Sequence, residues 1–489
     1  MTPIVGPQGQ CRFGIAHGDI TPPAGIYCRM WGAARHDQAT GVHRPLRATA
    51  MFFLPEDSAS AEPERVLIAL DHCLLVEAEM QLLRERLLAQ ADVHPDTLSV
   101  VFSHTHSAGW MSRDRAHLPG GDLIPPYLDE LGGKLVALVN EARQSIQPAS
   151  VDYGWGHCDL AAERDFWDAE RQMFVCGFNP LAPADDTVLV ARFTGENDQL
   201  LATMVNYACH PTTLAWQNTL ISPDYPGAMR EVIEQATSAP CVFLLGACGD
   251  LGPRDGFVGE VETADRNGRQ LGYAALSTLE GLPPARTQFE YAGPVVSGAT
   301  LGTWRHAPLS SQATTAAARF AVHRFHVSLP YQASLPTHEQ TLASREEWET
   351  KERQALEVGD PDQAGDCRAM IERCNRMLSR LAVLPPGKNF EYPVVVWRIG
   401  DGFWVTVQGE PYNALQQKVR ERFPGVPIVF CALAAGWVPF YLPSADRYGK
   451  GIYQESASVL APGCLELATE SIITHLAGYL AEEGPAVNE

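Results

Sequence analysis

The feature that most constrains the fold of this chain is the regular alternation of apolar runs of strand length with segments of helical periodicity. Several runs are continuously apolar, which is typical of strands buried on both faces. The predicted strands are 48–54, 66–70, 98–102, 188–193, 200–207, 242–246, 394–399, 403–407 and 427–433. The predicted helices are 77–90, 126–145, 227–237, 264–279, 411–423 and 465–482. This alternation of strands and helices predicts an α/β fold in which a large mixed sheet and helices are layered.

Residues 337–384 interrupt the alternation of strands and helices, because they are charged, helical in pattern and nearly free of glycine. A break at Gly359-Asp360-Pro361 divides the segment in two, and strand character resumes after Leu384. We therefore predict a helical hairpin inserted into a single catalytic domain that spans residues 1–489. Cys367 and Cys374 would share one side of the second helix, where two core thiols are favoured over a metal clip.

The net charge limits the binding partners expected for this chain, and the cysteine content limits the cellular compartment expected for it. The chain has 37 Lys+Arg and 58 Asp+Glu residues, which gives a net charge of −21, so a nucleic-acid partner is not expected. No run approaches the roughly 18 apolar residues of a membrane span, and no signal peptide is visible at the N-terminus. The 12 cysteines form no CxxC pair and lie mostly in apolar runs. They favour buried thiols and a cytoplasmic protein, with disulfides in an exported protein as the alternative.

The strongest local signal for chemistry is His104-Thr-His106, which directly follows the predicted strand 98–102. Alternation along an extended chain would place both imidazoles on the same side. Two imidazoles at the end of a buried strand favour a metal-binding or proton-transfer pair over two structural polar residues.

Two further strands end in residues that bind metals. His210 follows strand 200–207 and precedes Pro211, which ends strand pairing. Glu410 follows Gly409, and Pro411 is predicted to open the next helix. Considered alone, His210 would be interpreted as a structural histidine, and Glu410 as an exposed acid that the helix dipole favours. Because sites in α/β sheets gather at strand ends, His104, His210 and Glu410 together predict a catalytic zinc site with a position left open for water.

A glycine-rich loop at 245–253 also follows a predicted strand. It lacks the Lys-Ser/Thr of a P-loop, and the chain contains neither GxGxxG nor a G-x-S-x-G elbow. Close approach of its backbone to a substrate and a tight connection between elements are equal interpretations.

These motifs, in their order, resemble the neutral (non-lysosomal) ceramidase family from about Phe13 to the C-terminus. The residues that carry the resemblance are 14–25, 41–50, Leu70-Asp71, 103–107, Asn179-Pro180 with Asp185-Asp186, 206–211, Gly249-Asp250, Gly409-Glu410 and 440–443.

The resemblance implies a zinc ion bound by His104, His210, Glu410 and Tyr441. Tyr441 would otherwise be interpreted as a core aromatic residue. It also implies that three further residues assist catalysis, namely His106, Arg164 and Tyr453. Tyr448 is the competitor for the role of Tyr453.

The implied activity is that of a zinc-dependent amidohydrolase, which cleaves an N-acyl bond with metal-activated water. His106 would relay a proton to the leaving amine, and Tyr453 and Arg164 would stabilise charge on the carbonyl oxygen. The implied substrate is a small-molecule or lipid N-acyl compound.

Three departures from the family pattern keep other functions open, one being that family members are typically exported or surface proteins while no signal peptide is visible here. The family's C-terminal β-sandwich is not expected here, and Gly249-Asp250 continues as Leu-Gly-Pro where the family has Val-Ser-Pro. The alternatives are a zinc hydrolase of a small soluble amide, ester or lactone, and a non-catalytic binding protein that has kept the fold.

Overall fold

The computed structural model describes residues 3–434 and 436–482. Its strands are β1 (Gln8–Asp19), β2 (Gly41–Val42), β3 (Arg47–Pro55), β4 (Arg65–Leu70), β5 (Leu98–Phe102), β6 (Gln147–His157), β7 (Ala161–Glu163), β8 (Asp165–Asp168), β9 (Met173–Cys176), β10 (Thr187–Gly195), β11 (Leu200–Tyr207), β12 (Leu220–Ile221), β13 (Cys241–Leu245), β14 (Leu251–Pro253), β15 (Thr287–Ser297), β16 (Ala299–Pro308), β17 (Phe320–Pro330), β18 (Asn389–Ile399), β19 (Gly402–Val407), β20 (Glu410–Pro411), β21 (Ile428–Cys431) and β22 (Tyr441–Leu442). Its helices are α1 (Glu77–Gln90), α2 (Ile124–Gln144), α3 (Tyr225–Thr237), α4 (Val261–Glu280), α5 (Ser311–Ala317), α6 (His338–Glu357), α7 (Pro361–Val383), α8 (Ala414–Arg422), α9 (Tyr453–Ala457) and α10 (Cys464–Glu482). The predicted α/β class with a large mixed sheet is confirmed.

An eight-stranded sheet forms the centre of the fold, in the order β13-β11-β10-β6-β1-β3-β4-β5. Most neighbours are antiparallel, but β4 pairs with β5 and β11 with β13 in parallel. The edge strands β5 and β13 approach each other, so that residues following them can meet.

A second sheet, in the order β17-β18-β19-β21, packs face to face with the first. Phe53 of β3 and Trp404 of β19 meet there with ring centroids 5.8 Å apart. Alternation along β3 explains this packing, because Met51 and Phe53 enter the core between the sheets while Ala50 and Phe52 face the other core.

Helices cover the outer faces of both sheets. Helix α2 packs on β1 and β3, and α4 packs on β6 and β10 of the large sheet. On the second sheet, α10 packs on β17, where Phe325 stacks on His475 at 3.6 Å. No helix in the described ranges is long and apolar enough to span a membrane.

Residues 337–384 contain α6 and α7, which pack against each other and are separated by three residues, 358–360. Thr337 caps α6 by accepting a hydrogen bond from the Gln340 backbone N–H at 3.1 Å, and Asp360 caps α7 by accepting one from Gln363 at 3.0 Å. Cys367 and Cys374 are both buried, and the Cys374 thiol lies 3.8 Å from the Ser344 hydroxyl.

Several features of the fold differ from the sequence prediction. Among the strands that were not predicted are β6, β15, β16 and β17. The central strand β1 was not predicted from periodicity, because glycine and polar residues interrupt its apolar pattern. The prediction that Pro411 opens a helix is wrong: Glu410 and Pro411 pair in parallel with Tyr441 and Leu442, and α8 begins at Ala414.

Candidate metal centre

The first imidazole of the site lies on a turn and not on an extended strand. β5 ends at Phe102, and His104 has a left-handed backbone with φ of 67°. Hydrogen bonds from the Ser103 and His104 N–H groups to Leu70 and His72 hold this turn. The rings of His104 and His106 do lie together, with centroids 4.8 Å apart. The reason given from strand alternation is therefore wrong, since the turn brings them together.

The second imidazole, His210, follows β11 and is oriented by the loop after β13. Its Nδ1 lies 2.7 Å from the Cys248 carbonyl oxygen and 3.1 Å from that of Leu251. A Cβ on Gly249 in the same loop would lie 2.5 Å from the Glu410 carbonyl oxygen. The loop thus makes its close approach to the chain's own backbone, as the tight-connection interpretation expects.

The carboxylate and the phenol enter on paired backbone segments. Glu410 of β20 lies directly opposite Tyr441 of β22, and its N–H donates to the Phe440 carbonyl oxygen at 2.6 Å. Gly409 precedes Glu410 with φ of 67°, and a Cβ there would meet the Phe440 carbonyl oxygen at 2.4 Å. Glycine is therefore required at 409 for Glu410 and Tyr441 to lie side by side.

The four side chains that the resemblance implies as ligands converge in the buried interior. Glu410 Oε2 lies 2.9 Å from His210 Nε2 and 3.3 Å from His104 Nε2. The Tyr441 hydroxyl lies 3.4 Å from His210 Nε2. Donors bound tetrahedrally to one ion of zinc size are about 3.4 Å apart, so this spacing suits a shared metal.

Hydrogen bonding at the far side of each ring supports the same assignment. His104 Nδ1 lies 2.7 Å from the Cys73 carbonyl oxygen, and His210 Nδ1 is bound to Cys248 in the same way. A carbonyl oxygen only accepts, so each Nδ1 carries a proton and each Nε2 is the nitrogen that faces Glu410. Metal-binding histidines are usually held in this manner.

The electrostatics of the site follow from burial and from this pairing. Burial lowers the pKa of His210 to about 4, which keeps its imidazole in the neutral, ligand form. Burial alone would raise the pKa of Glu410, but His104 and His210 hold it well below its usual range. Glu410 is thus an anion between two nitrogen donors.

Arg164 supports the phenol of Tyr441. Its Nη2 donates to the Tyr441 hydroxyl at 2.9 Å and to the Gly249 carbonyl oxygen at 2.6 Å. Burial raises the pKa of Tyr441 well above its usual range, while the Arg164 charge acts in the opposite direction. Arg164 therefore contacts a candidate ligand directly, as well as lining the cavity.

His106 and Tyr453 also face the cavity. His106 Nε2 lies 3.4 Å from His104 Nε2, and its ring packs on Trp31 at 5.0 Å. Burial, with the imidazoles of His104 and His210, holds the pKa of His106 well below its usual range. Tyr453 begins α9, is 38% exposed, and its ring lies 5.8 Å from that of Tyr441.

Tyr448, the competitor of Tyr453, is engaged elsewhere. Its hydroxyl donates to the Leu460 carbonyl oxygen at 2.9 Å and lies 3.3 Å from the Ser458 hydroxyl. Tyr448 does not line the cavity that Tyr453 lines, so the geometry favours Tyr453.

Cys73, His104 and His106 form a second group that could hold a metal among the described residues. The Cys73 thiol lies 3.4 Å from Nδ1 of His104, whereas His106 approaches Nε2 on the opposite side of that ring. The three donors thus do not face one point. The set of His104, His210 and Glu410 has a shared centre and is the better candidate.

The metal centre opens into a cavity of about 790 Å³. One wall contains aromatic side chains, including Trp31, Trp216 and Phe257. Helices α6 and α7 supply another wall, with Arg376 and Arg380 among its residues. Sequence reasoning missed this wall, although arginines at 373, 376 and 380 recur at helical spacing and could have indicated a shared face.

The fold and site define an α/β protein with a buried His/His/Glu/Tyr cluster of metal-binding type. Residues 12–241 match the family model described as neutral/alkaline non-lysosomal ceramidase, N-terminal. This match includes His104, His106, Arg164 and His210 and ends before Glu410. The resemblance to the ceramidase family that the ordered motifs predict is confirmed.

Individual proteins of this family show how far the similarity extends. The neutral ceramidase of Pseudomonas aeruginosa is 24% identical over 221 residues, which are 44% of this chain and 32% of that protein. The match thus spans about a third of the length of that curated relative. Its crystal structure superposes with a TM-score of 0.62 at 16% identity, covering 99% of this chain and 76% of that one. A structure described as ceramidase complexed with C2 also gives 0.62, at 17% identity, covering 98% and 76%. At these identities the superpositions show a shared fold.

Proposed function

We propose that this protein is a zinc-dependent amidohydrolase that cleaves the amide bond of an N-acyl compound. The observation that carries the proposal is the convergence of His104, His210, Glu410 and Tyr441 at the end of an open cavity. These four residues come from distant parts of the chain, and each is positioned by its own backbone contacts. The confirmed family resemblance supports hydrolysis of an amide.

The proposed zinc ion would be held by His104, His210, Glu410 and Tyr441, whose nitrogen and oxygen donors suit this metal. Bound there, zinc would supply a Lewis acid that lowers the pKa of water to about 7 and so provides hydroxide at neutral pH. The hydrogen bonds from the two Nδ1 atoms to backbone carbonyls keep both imidazoles oriented for this task.

The surrounding residues would perform the proton and charge steps. His106 borders the ligand cluster and lines the cavity, which supports the proposal that it would carry a proton to the departing amine. Tyr453 lines the cavity, and its hydroxyl would donate to the carbonyl oxygen as negative charge develops on it. Arg164 would hold Tyr441 and add positive charge beside the reacting group.

Residues 337–384 are proposed to be an insertion within one ceramidase-like catalytic domain. The helices of this segment contribute the α6–α7 wall of the cavity. Its function would therefore be to shape the substrate site. A ceramide-like lipid and a smaller soluble amide, ester or lactone remain the two candidate substrates.

Metal analysis with matched variants tests the proposal. We expect about one zinc ion per purified chain, and we expect His104→Ala to lose both the metal and amide hydrolysis. His94→Ala, which alters a histidine with 65% side-chain exposure, serves as the control and should retain both. The proposal is wrong if the wild-type protein binds no zinc and His104→Ala hydrolyses amides at the wild-type rate.

A panel of acyl amides separates the two candidate substrates. We expect a ceramidase-like enzyme to prefer long-chain ceramide, and an enzyme for soluble metabolites to prefer short-chain amides, esters or lactones. Comparing kcat/KM across the panel measures this preference.

A further inference from the structure

The α6–α7 wall of the cavity is unusually rich in positive charge. Arg373, Arg376 and Arg380 of α7 all line the cavity, because positions three and four apart share one face of a helix. Arg164 lines the same cavity. This local concentration contrasts with the net charge of −21 for the whole chain.

Arg380 is the most deeply buried of the three α7 arginines, with only 4% of its surface exposed. Its Nη1 donates to the Ala457 carbonyl oxygen at 3.1 Å, and its guanidinium lies 3.8 Å from the ring centre of Phe440. Its Nε is buried and has no hydrogen-bond partner in the described part of the chain. A buried cation is unfavourable when no anion balances it, and an aromatic ring compensates only in part.

Arg376 lies one turn away and is half-buried. It donates to the Met30 carbonyl oxygen, and its guanidinium lies 5.6 Å from the ring centre of Trp110. Within residues 3–434 and 436–482, neither Arg376 nor Arg380 forms an ion pair with a carboxylate.

The carboxylates that line the cavity are already paired with other groups. Glu372 is held by Arg115 at 3.0 Å, and Glu410 lies between His104 and His210. Glu410 offsets part of the Arg380 charge at a distance, but neither carboxylate forms an ion pair with Arg376 or Arg380 in the described part of the chain.

We propose that the substrate carries an anionic oxygen group, and that Arg376 and Arg380 bind this group while the amide lies at the metal centre. The inference rests on the proposed function and specifies its substrate class. Arginine is suited to this task, since its planar fork matches the oxygens of a carboxylate or a phosphate. A neutral N-acyl alcohol would leave both guanidinium groups without an anionic partner.

Matched substrates test the inference by turnover. N-octanoylglycine offers a carboxylate, N-octanoyl-O-phosphoethanolamine a phosphate, and N-octanoylethanolamine no charge. We expect kcat/KM of the zinc-loaded enzyme to be at least about tenfold higher for one of the anionic compounds than for the neutral one. Whichever anionic compound is preferred identifies the group. Equal or faster turnover of the neutral compound would overturn the inference and leave the amidohydrolase proposal standing.

Substitution of one arginine links that preference to the α6–α7 wall. Arg376→Gln should reduce the ratio of anionic to neutral kcat/KM to near one. Arg368→Gln on the same helix is the control, since Arg368 lies near Glu352 and Glu372 and does not line the cavity. It should keep the wild-type ratio. Arg380→Gln tests the more deeply buried arginine. If Arg380→Gln does not fold, Arg376→Gln alone tests whether the α6–α7 wall causes the preference.

A binding measurement distinguishes failure of this inference from failure of the proposed function. Octane-1-sulfonate and 1-octanol share one alkyl chain, and the sulfonate is a poor zinc ligand. Calorimetric titration of the zinc-loaded protein should show at least about tenfold tighter binding of the sulfonate, lost in Arg376→Gln. If this result appears without hydrolysis of any amide, the anion site stands and the proposed activity fails. Equal binding of the two probes would exclude the anion site.

Discussion

Arg164 forms a buried pair with Tyr441, one of the four proposed ligands. The phenol is buried, which by itself opposes its ionisation, while the guanidinium 2.9 Å away favours the charged form. A second bond from Arg164 to the Gly249 carbonyl oxygen ties the pair to the loop that orients His210. One arginine thus couples two of the four proposed ligands.

Arg164→Lys should weaken zinc binding by about 10–100-fold, because one ammonium group does not reproduce the two directed bonds of the guanidinium. Titration against a competing chelator measures this affinity. Arg171→Lys is the matched control, since that side chain is 66% exposed on the β8–β9 hairpin. Unchanged zinc affinity in Arg164→Lys would show that Arg164 does not support the ligand set.

At the scale of elements, the site depends on three places where a strand has a parallel neighbour. β5 lies beside β4, β11 beside β13, and β19 beside β21, and the chain leaves each of these strands toward the same region. The loop after β13 then packs on β20, with the Gly249 N–H donating to the Pro411 carbonyl oxygen at 2.9 Å. Contact between loop and strand therefore fixes Glu410 relative to His210.

Gly249→Ala should disturb this contact, because the added methyl group would lie 2.5 Å from the Glu410 carbonyl oxygen. We expect a loss of about 1–3 kcal/mol in the free energy of unfolding, together with weaker metal binding. Gly365→Ala is the control, since nothing lies within 4 Å of a Cβ at that position in α7. It should be neutral or slightly stabilising, as alanine favours a helix interior. Denaturant titration of both variants checks the difference, and equal effects would contradict it.

At the scale of the whole molecule, the proposed ion would join both sheets. His104 and His210 follow strands of the eight-stranded sheet, whereas Glu410 follows β19 of the second sheet. A ligand that binds the folded state alone stabilises it by mass action. The metal should therefore stabilise the entire fold, as well as serving the site.

Removal of zinc should lower the thermal unfolding midpoint, since zinc at 100 times its dissociation constant adds about 2.7 kcal/mol to stability. Calorimetry with added zinc or with a chelator measures the shift. Glu410→Gln should lose most of it, and Glu170→Gln, a change at an 88% exposed side chain, should retain it. A midpoint that does not respond to zinc in the wild-type protein would contradict a shared metal site.

The sequence by itself determined the α/β class, the positions of most helices and of nine of the twelve strands in the two main sheets, and the order of the family motifs. Apolar period and glycine placement are local properties, so they can be read without knowing the tertiary contacts. They could not identify β1, whose place at the centre of the sheet is set by its neighbours β3 and β6. They also misplaced Pro411, because its partner Leu442 is distant in the chain.

Only the tertiary structure decided which distant residues contact one another. It showed that a turn, and not strand alternation, joins His104 to His106, and that backbone carbonyls fix the tautomers of His104 and His210. It also placed α6 and α7 against the metal centre, with two arginines that form no ion pair to a carboxylate among the described residues. The physical reason is that coordination, burial and charge balance depend on distances between residues hundreds of positions apart, which no local pattern records.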